Sequence, residues 1–162
     1  MKRVLITGMS GTGKTAVVEE LVRRGHRAVD LDGPEWSHWV AAPGDELTPR
    51  DGQDWVWRED RVRNLLSRDE GDILFVSGCA QNMGNVFDVI DVIVLLSAPL
   101  GTIMERLAGR SGAGYGQTAE EQAKVAELIE AIEPLLRQSA DIEIDTQQTV
   151  TQTVEQILAQ VV

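Results

Sequence analysis

The sequence predicts a three-layer α/β/α fold in which helices cover both faces of a five-stranded parallel sheet. Short apolar runs alternate along the chain with longer stretches of helical periodicity, which is the pattern of repeated β–α–β units. The runs at 73–77 and 92–96 are apolar at nearly every position, as is typical of strands buried on both faces. The length of 162 residues corresponds to a single domain, 1–162.

The first strand is predicted at 3–7, and a glycine-rich turn leads from it into a helix at 13–24. Gly25 occupies the position that commonly ends a helix, and a second strand is predicted at 27–31. The apolar residues of the helix fall on one face, which we expect to be buried; they are Val17, Val18, Leu21 and Val22.

The middle of the chain begins with a segment of irregular pattern. Residues 33–53 hold three of the five prolines and show little periodicity, so we predict a loop with one short helix around 35–40. A helix at 54–68 should follow and direct Val62, Leu65 and Leu66 inward. The third strand is predicted at 73–77.

The remaining elements continue the alternation. A fourth strand at 92–96 precedes a helix at 99–109 that begins with Pro99. Four glycines within 109–117 predict a mobile loop, and Thr118 with Glu121 predicts a capping box at the start of the next helix. A fifth strand at 142–144 and a last helix at 150–161 complete the fold. The helix after Thr118 has one apolar face, which we expect to be buried; it consists of Val125, Leu128, Ile129, Ile132, Leu135 and Leu136.

Composition excludes several classes of protein. The formal net charge of −11 disfavours binding to nucleic acids and to anionic membranes. One cysteine, Cys79, rules out a disulfide framework, and two histidines are too few to suggest a zinc site. No apolar run approaches the roughly 20 residues of a membrane span, and the apolar stretch after Arg3 is too short for a signal peptide. We therefore expect a cytoplasmic protein.

The strongest functional signal is a phosphate-binding loop between the first strand and the first helix. It matches G-x-x-x-x-G-K-[ST] and consists of Gly8, Met9, Ser10, Gly11, Thr12, Gly13, Lys14 and Thr15. Glycines allow the backbone N–H groups to point at phosphate oxygens, and the helix N-terminus adds a partial positive charge. Lys14 should reach the β- and γ-phosphates of ATP, and the Thr15 hydroxyl should bind Mg²⁺.

Three classes of P-loop protein compete as interpretations of this sequence. A GTPase would carry an N-K-x-D guanine motif, which the sequence lacks. A large ring ATPase would need more chain and a strand that ends in paired acids, whereas the third strand runs into Ser77, Gly78 and Cys79. A kinase acting on a small molecule fits best.

The chain resembles the small P-loop kinases of the adenylate, shikimate and gluconate kinase group, and is most similar to the shikimate-kinase-like members. The resemblance is carried by the loop at 8–15, Asp30 and Asp32, the Ser77-Gly78 turn, and Arg106 with Arg110. It implies a P-loop NTPase fold with the sheet order 2-3-1-4-5. It also implies ATP and Mg²⁺ as cofactors and a small-molecule phosphoryl acceptor.

Asp30 and Asp32 alternate at the carboxyl end of the second strand, where open parallel sheets bind ligands. One carboxylate could hold Mg²⁺ through water, and the other could accept the proton of the attacking hydroxyl. The resemblance implies these two roles for the pair. We assign the general base to Asp32, because it lies further along the chain toward the acceptor, and the metal to Asp30. The alternative is two solvated acids at the end of a strand.

Arg106 and Arg110 share one helix face that leads into the glycine-rich loop, which we interpret as a lid at 109–118. Arginines placed there would stabilise charge on the transferred phosphoryl group, and closure of the lid would exclude water. The alternative is an exposed, solvated helix face.

The region at 33–68 is the predicted acceptor site. All four tryptophans of the chain lie there, with Arg58 and Arg61 facing the same way. We assign Trp36, Arg58, Arg61, Asp32 and the Gly78 turn to acceptor binding, with Gln81 and Asn82 as further candidates. The alternative is core packing with solvated arginines.

Two departures argue against shikimate itself as the acceptor. The glycine triplet that follows the third strand in shikimate kinases is replaced by Ser77-Gly78-Cys79, and no arginine beyond the lid is evident for a carboxylate. We therefore predict an ATP- and Mg²⁺-dependent phosphotransferase acting on an unidentified small metabolite. The alternatives are a nucleoside or nucleoside monophosphate kinase, an antibiotic phosphotransferase, and an ATPase or switch protein without such an acceptor.

Overall fold

The computed structural model describes residues 1–44, 48–50, 52–109 and 118–162. Seven strands occur in this part of the chain: β1 (Lys2–Thr7), β2 (Arg27–Asp30), β3 (Ser37–Ala41), β4 (Gln53–Trp57), β5 (Ile73–Ser77), β6 (Val92–Ser97) and β7 (Ile142–Asp145). The helices are α1 (Lys14–Arg23), α2 (Glu59–Ser67), α3 (Leu100–Ala108), α4 (Ala119–Ser139) and α5 (Val150–Val161), with a 3₁₀ helix at Met83–Val89.

The main sheet is parallel throughout and has the order β2-β5-β1-β6-β7. In the central strand, Val4 pairs with Phe75 of β5 and with Val92 of β6. The predicted order 2-3-1-4-5 is confirmed. Its third, fourth and fifth strands are β5, β6 and β7 here, because β3 and β4 form a hairpin outside this sheet.

Helices cover both faces of the sheet, since successive side chains of each strand point to opposite sides. Leu5 and Val76 join one buried cluster with residues of α2 and α4. Val4 and Phe75 join the other, with residues of α1 and α5. The predicted three-layer fold is therefore confirmed.

The predicted short helix around 35–40 is wrong, because this segment forms β3, which pairs antiparallel with β4 in a separate two-stranded sheet. Aromatic and β-branched residues favour strands, and Trp39 with Val40 in β3 and Trp55, Val56 and Trp57 in β4 are of this kind. Trp39 pairs directly with Trp55 across the two strands, with ring centroids 5.1 Å apart, and the Arg50 guanidinium lies 4.1 Å from the centre of the Trp39 ring.

The helix predicted at 54–68 begins only at Glu59, since β4 occupies its first residues. Glu59 and Asp60 lie in the first turn of α2, where negative charge stabilises a helix. Val62, Leu65 and Leu66 are buried as predicted.

Two residues predicted to be buried are exposed: Val22 is 52% exposed and Leu135 is 59% exposed. Each lies next to a buried leucine, Leu21 or Leu136. Because successive residues are about 100° apart around a helix, the neighbour of a buried residue can point to solvent. The apolar stripes of α1 and α4 are therefore wider than the faces that the sheet covers.

The predicted start of α4 is confirmed, because the Thr118 hydroxyl accepts a hydrogen bond from the Glu121 N–H at 3.1 Å. None of the helices described is long and apolar enough to cross a membrane.

Candidate active site

The loop at 8–15 connects the central strand β1 to α1 and depends on its glycines. A Cβ atom at Gly8 would lie 2.5 Å from the Leu96 carbonyl oxygen and 2.7 Å from the Thr12 hydroxyl. Gly11 adopts a φ of 83°, and a Cβ there would lie 2.9 Å from a methyl carbon of Ile103. Larger residues at these positions would therefore displace the loop from the sheet and from α3.

Lys14 lies at the first position of α1 and turns back over the loop. Its Nζ donates to the carbonyl oxygens of Gly8 at 2.5 Å and Met9 at 3.1 Å. A cavity of about 340 Å³ lies over the N-terminus of α1, where N–H groups and the helix dipole favour an anion. Its lining residues are Ser10, Gly11, Gly13, Lys14, Thr15, Ala16, Asp30, Asp32 and Arg106.

Arg106 of α3 reaches this cavity and is held by the loop and by the end of β7. Its guanidinium donates to the Gly11 carbonyl at 3.1 Å, and to the Thr146 hydroxyl and carbonyl at 2.9 and 2.6 Å. The buried Thr146 hydroxyl in turn donates to the Thr12 carbonyl at 2.7 Å. These bonds fix Arg106 and the middle of the loop relative to one another.

Asp30 is the last residue of β2, and Asp32 follows the strand, so that both line the same cavity. The Asp30 carboxylate accepts from the backbone N–H of Asp32 at 2.9 Å. The Asp32 carboxylate accepts from the Trp57 indole N–H at 3.1 Å and from the Cys79 backbone N–H at 3.1 Å. A Cβ atom at Gly78 would lie 2.7 Å from Asp32 Oδ1, so the close approach of the turn after β5 to this carboxylate requires glycine.

The environment raises the pKa of Asp32 above its usual value. Burial is the main cause, and the negative charge of Asp30 adds to it, while Lys14, the Trp57 indole and the Cys79 amide act in the opposite direction. A carboxylate with a raised pKa is a stronger base than an exposed aspartate.

The β3–β4 hairpin positions Asp32 from the other side. The Trp55 indole donates to the Asp32 carbonyl at 2.7 Å, beside the bond from Trp57 to the carboxylate. Asn82 binds the backbone of Trp57 twice, at 3.1 and 2.9 Å, and so connects the hairpin to the turn after β5.

A second, larger cavity of about 600 Å³ adjoins the phosphate loop. Ser10, Lys14 and Asp32 line both cavities, so these three residues mark their junction. The other residues that line the larger cavity are Met9, Pro49, Asp54, Trp55, Cys79, Ala80, Gln81, Met83, Gly84, Phe87, Leu128, Ile132, Leu135, Leu136 and Ser139.

Several predicted site residues lie away from both cavities. Trp36 packs against the core, and its carbonyl accepts from the Arg58 backbone N–H at 2.7 Å. Arg58 Nε is buried without a hydrogen-bond partner among the residues described, and Arg61 donates to the Glu35 carbonyl at 2.5 Å. Arg110 and residues 110–117 of the predicted lid lie outside the described residues.

Sequence reasoning missed the supporting roles of Thr146 and Asn82 and the cavity-facing side of α4. Thr146 and its partners Thr12 and Arg106 are far apart in the chain, so no local pattern marks it. Asn82 was a candidate for acceptor binding, yet it binds Trp57. The apolar face of α4 was assigned wholly to the core, although Leu128, Ile132, Leu135 and Leu136 line the cavity.

The sheet order, the loop at 8–15 and the two helical layers define the α/β/α fold of P-loop NTPases. A family described as an AAA domain matches residues 4–127, and the chain belongs to this family. No curated protein matches the chain.

Solved structures with a similar fold include three proteins named as kinases. A shikimate kinase from Acinetobacter baumannii in complex with shikimate is 20% identical, with a TM-score of 0.64 over 99% of this chain and 92% of the other. A gluconokinase from Sinorhizobium meliloti 1021 is 19% identical, with a TM-score of 0.62 over 98% and 90%. A deoxyadenosine kinase from M. mycoides with bound dATP is 12% identical, with a TM-score of 0.59 over 98% of each chain. The predicted resemblance to shikimate-kinase-like proteins is confirmed for the fold.

Proposed function

We propose that this protein is an ATP- and Mg²⁺-dependent kinase that transfers the γ-phosphoryl group to a hydroxyl group of a small molecule. The observation that carries the proposal is the junction of the two cavities, where a phosphate-binding lysine and a buried carboxylate meet. Lys14 belongs to the donor side, and Asp32 faces the space that an acceptor would fill.

On the donor side, the loop N–H groups and the N-terminus of α1 would bind the phosphates of ATP. Lys14 would exchange its bonds to the Gly8 and Met9 carbonyls for phosphate oxygens. Thr15 and Asp30 line the same small cavity with oxygen ligands, which suit Mg²⁺ bound mainly by phosphates and water. The metal would neutralise phosphate charge, and Arg106 would stabilise the group in transfer.

On the acceptor side, Asp32 would take the proton from the attacking hydroxyl. The bonds from Trp57 and Cys79 orient its carboxylate, and burial keeps its pKa raised. The acceptor would lie in the larger cavity, to which the predicted acceptor region contributes Pro49, Asp54 and Trp55.

The other predicted residues enter the proposal in different ways. Arg110 and the lid at 109–118 remain assigned to water exclusion and charge stabilisation on the basis of the sequence. For Trp36, Arg58 and Arg61, the contacts favour support of the hairpin and α2 over direct contact with the acceptor. The three kinases of similar fold support phosphoryl transfer as the class of reaction.

The test is ATP turnover with and without acceptors. We expect slow ADP release from the protein with Mg²⁺ and ATP alone, and a large increase with one member of a panel of shikimate, gluconate, nucleosides, nucleoside monophosphates, and aminoglycoside- and phenicol-like alcohols. Mass spectrometry of the acceptor should show one added phosphoryl group. A rate that no acceptor increases, but that a protein partner does, would show that the protein is an ATPase switch instead.

A further inference from the structure

The larger cavity has an apolar wall that the phosphate chemistry does not require. Leu128, Ile132 and Leu136 of α4 line one side of it, and Met83 and Phe87 of the 3₁₀ helix contribute further apolar surface. Its volume of about 600 Å³ is in the range that small-molecule sites use, roughly 300–1,000 Å³. Binding of an apolar ligand against such a surface is favourable, because it removes apolar area from water.

Leu135 belongs to the same wall and is 59% exposed. An exposed leucine beside three other apolar residues of α4 gives the cavity an apolar mouth.

The charges in the cavity are mainly negative. Lys14 is the only cationic side chain among the described residues that line it, and its Nζ already binds two loop carbonyls. Under the proposed function, Lys14 serves the phosphates of ATP. Asp32 and Asp54 supply two carboxylates. Burial is the main cause that raises the pKa of the Cys79 thiol, and these two charges raise it further, while Lys14 acts in the opposite direction.

From this wall and these charges, we infer that the acceptor is an alcohol with a mainly apolar body and no negative charge. The inference rests on the proposed function and narrows its substrate class. A carboxylate or phosphate on the acceptor would lose hydration in the cavity without gaining a cation from the described residues that line it, since Lys14 serves ATP. It would also be repelled by the Asp32 carboxylate, whereas an amide or an ammonium group would be accepted.

The test uses three biphenyl compounds that differ at one end. Each carries a hydroxymethyl group, and the opposite end carries a carboxylate, a carboxamide or an aminomethyl group. Dissociation constants are measured by calorimetry with Mg²⁺ and a non-hydrolysable ATP analogue, so binding is observed without phosphoryl transfer. We expect the carboxylate to bind at least about tenfold more weakly than the other two.

The variant Leu135→Arg places a cation at the mouth of the cavity. It should improve binding of the carboxylate by about two- to fivefold, as expected for an exposed ion pair, and weaken binding of the amine. Val22→Arg is the matched control, because Val22 is similarly exposed and lines neither cavity. It should change neither affinity.

The outcomes separate this inference from the proposed function. If the carboxylate binds as tightly as the amide and amine, or if none of the three binds, the inference is overturned. Absence of phosphorylated product despite selective binding would instead count against the kinase reaction. Phosphorylation of an acidic alcohol in preference to a neutral one would leave the kinase intact and overturn the inference.

Discussion

Replacing Thr146 by valine should weaken both the fold and the grip on ATP, because one buried hydroxyl connects β7 to the phosphate loop. Thr146 Oγ1 donates to the Thr12 carbonyl at 2.7 Å and accepts from Arg106 at 2.9 Å. Valine has the same shape without the hydroxyl, so the buried Thr12 carbonyl would lose this partner. Arg106 would keep its bonds to the Gly11 and Thr146 carbonyls.

The size of the effect follows from these contacts. Leaving one buried polar group without its partner costs about 1–3 kcal/mol. In a domain of this size, a loss of about 2 kcal/mol lowers the unfolding temperature by roughly 4–8 °C. The dissociation constant for ATP should rise as well, since Thr12 belongs to the loop at 8–15 and Arg106 lines the small cavity beside it.

Thr153→Val provides the matched control. Thr153 is equally buried, but its hydroxyl donates at 3.2 Å to the Thr149 carbonyl, which also accepts from the Thr153 backbone N–H at 3.0 Å. That carbonyl keeps a partner in the variant, so the unfolding temperature should change much less. Thermal unfolding and ATP titration of both variants test the argument, and equal effects at the two positions would refute it.

The other predictions concern the loop, the base and the turn after β5. Lys14→Ala should abolish productive ATP use with the unfolding temperature nearly unchanged. The control is Lys2→Ala, which removes a lysine bound to the Val161 carbonyl and should leave turnover unchanged. Normal turnover in the Lys14 variant would contradict the assignment of Lys14 to phosphate binding. Asp32→Asn should still bind ATP, while the rate of phosphoryl transfer falls by at least about 10²-fold, the usual scale for a lost general base. Single-turnover measurements give this rate, and an unchanged rate would show that Asp32 is not the base. Gly78→Ala should slow transfer and lower stability, because its Cβ would lie 2.7 Å from Asp32 Oδ1. The Gly101→Ala control meets no atom within 4 Å and should be tolerated, so equal effects of the two alanines in unfolding and rate assays would disprove the steric argument.

Asp32→Asn also has a pH signature in stability. The folded protein raises the pKa of Asp32 above its ordinary value of 3.8, so folding disfavours the ionised form. The wild type should lose stability as the pH rises from the unfolded pKa through the folded pKa, and this loss is complete above the latter. The uncharged asparagine avoids it, so the variant should gain relative to the wild type over that interval. Urea unfolding across pH would show the opposite trend if the pKa were lowered.

Sequence reasoning succeeded where the signal is local. The loop at 8–15 directly follows a strand and contains three glycines and a lysine within eight consecutive residues. The continuous apolar runs identify strands buried on both faces. Together they predict the parallel sheet, and the resemblance to small P-loop kinases adds its strand order.

The β3–β4 hairpin was not predicted, because its evidence is the pairing between two distant segments. Trp39 lies opposite Trp55, and Ser37 lies opposite Trp57, but each strand has only five residues. The prolines at 34, 43 and 49 break up the periodicity that would otherwise reveal these strands. The surroundings of Asp32 are equally non-local, since its partners lie 25 and 47 residues away in the chain.

The β3–β4 hairpin connects the larger cavity to the proposed base, Asp32. Trp55 lines the cavity and donates to the Asp32 carbonyl, while Trp57, two residues further along the same strand, donates to the Asp32 carboxylate. A ligand that moves β4 would therefore move both donors together and change the orientation of the carboxylate. Because the two indoles of β4 bind the backbone and the side chain of one residue, the position of Asp32 depends on β4 as well as on β2.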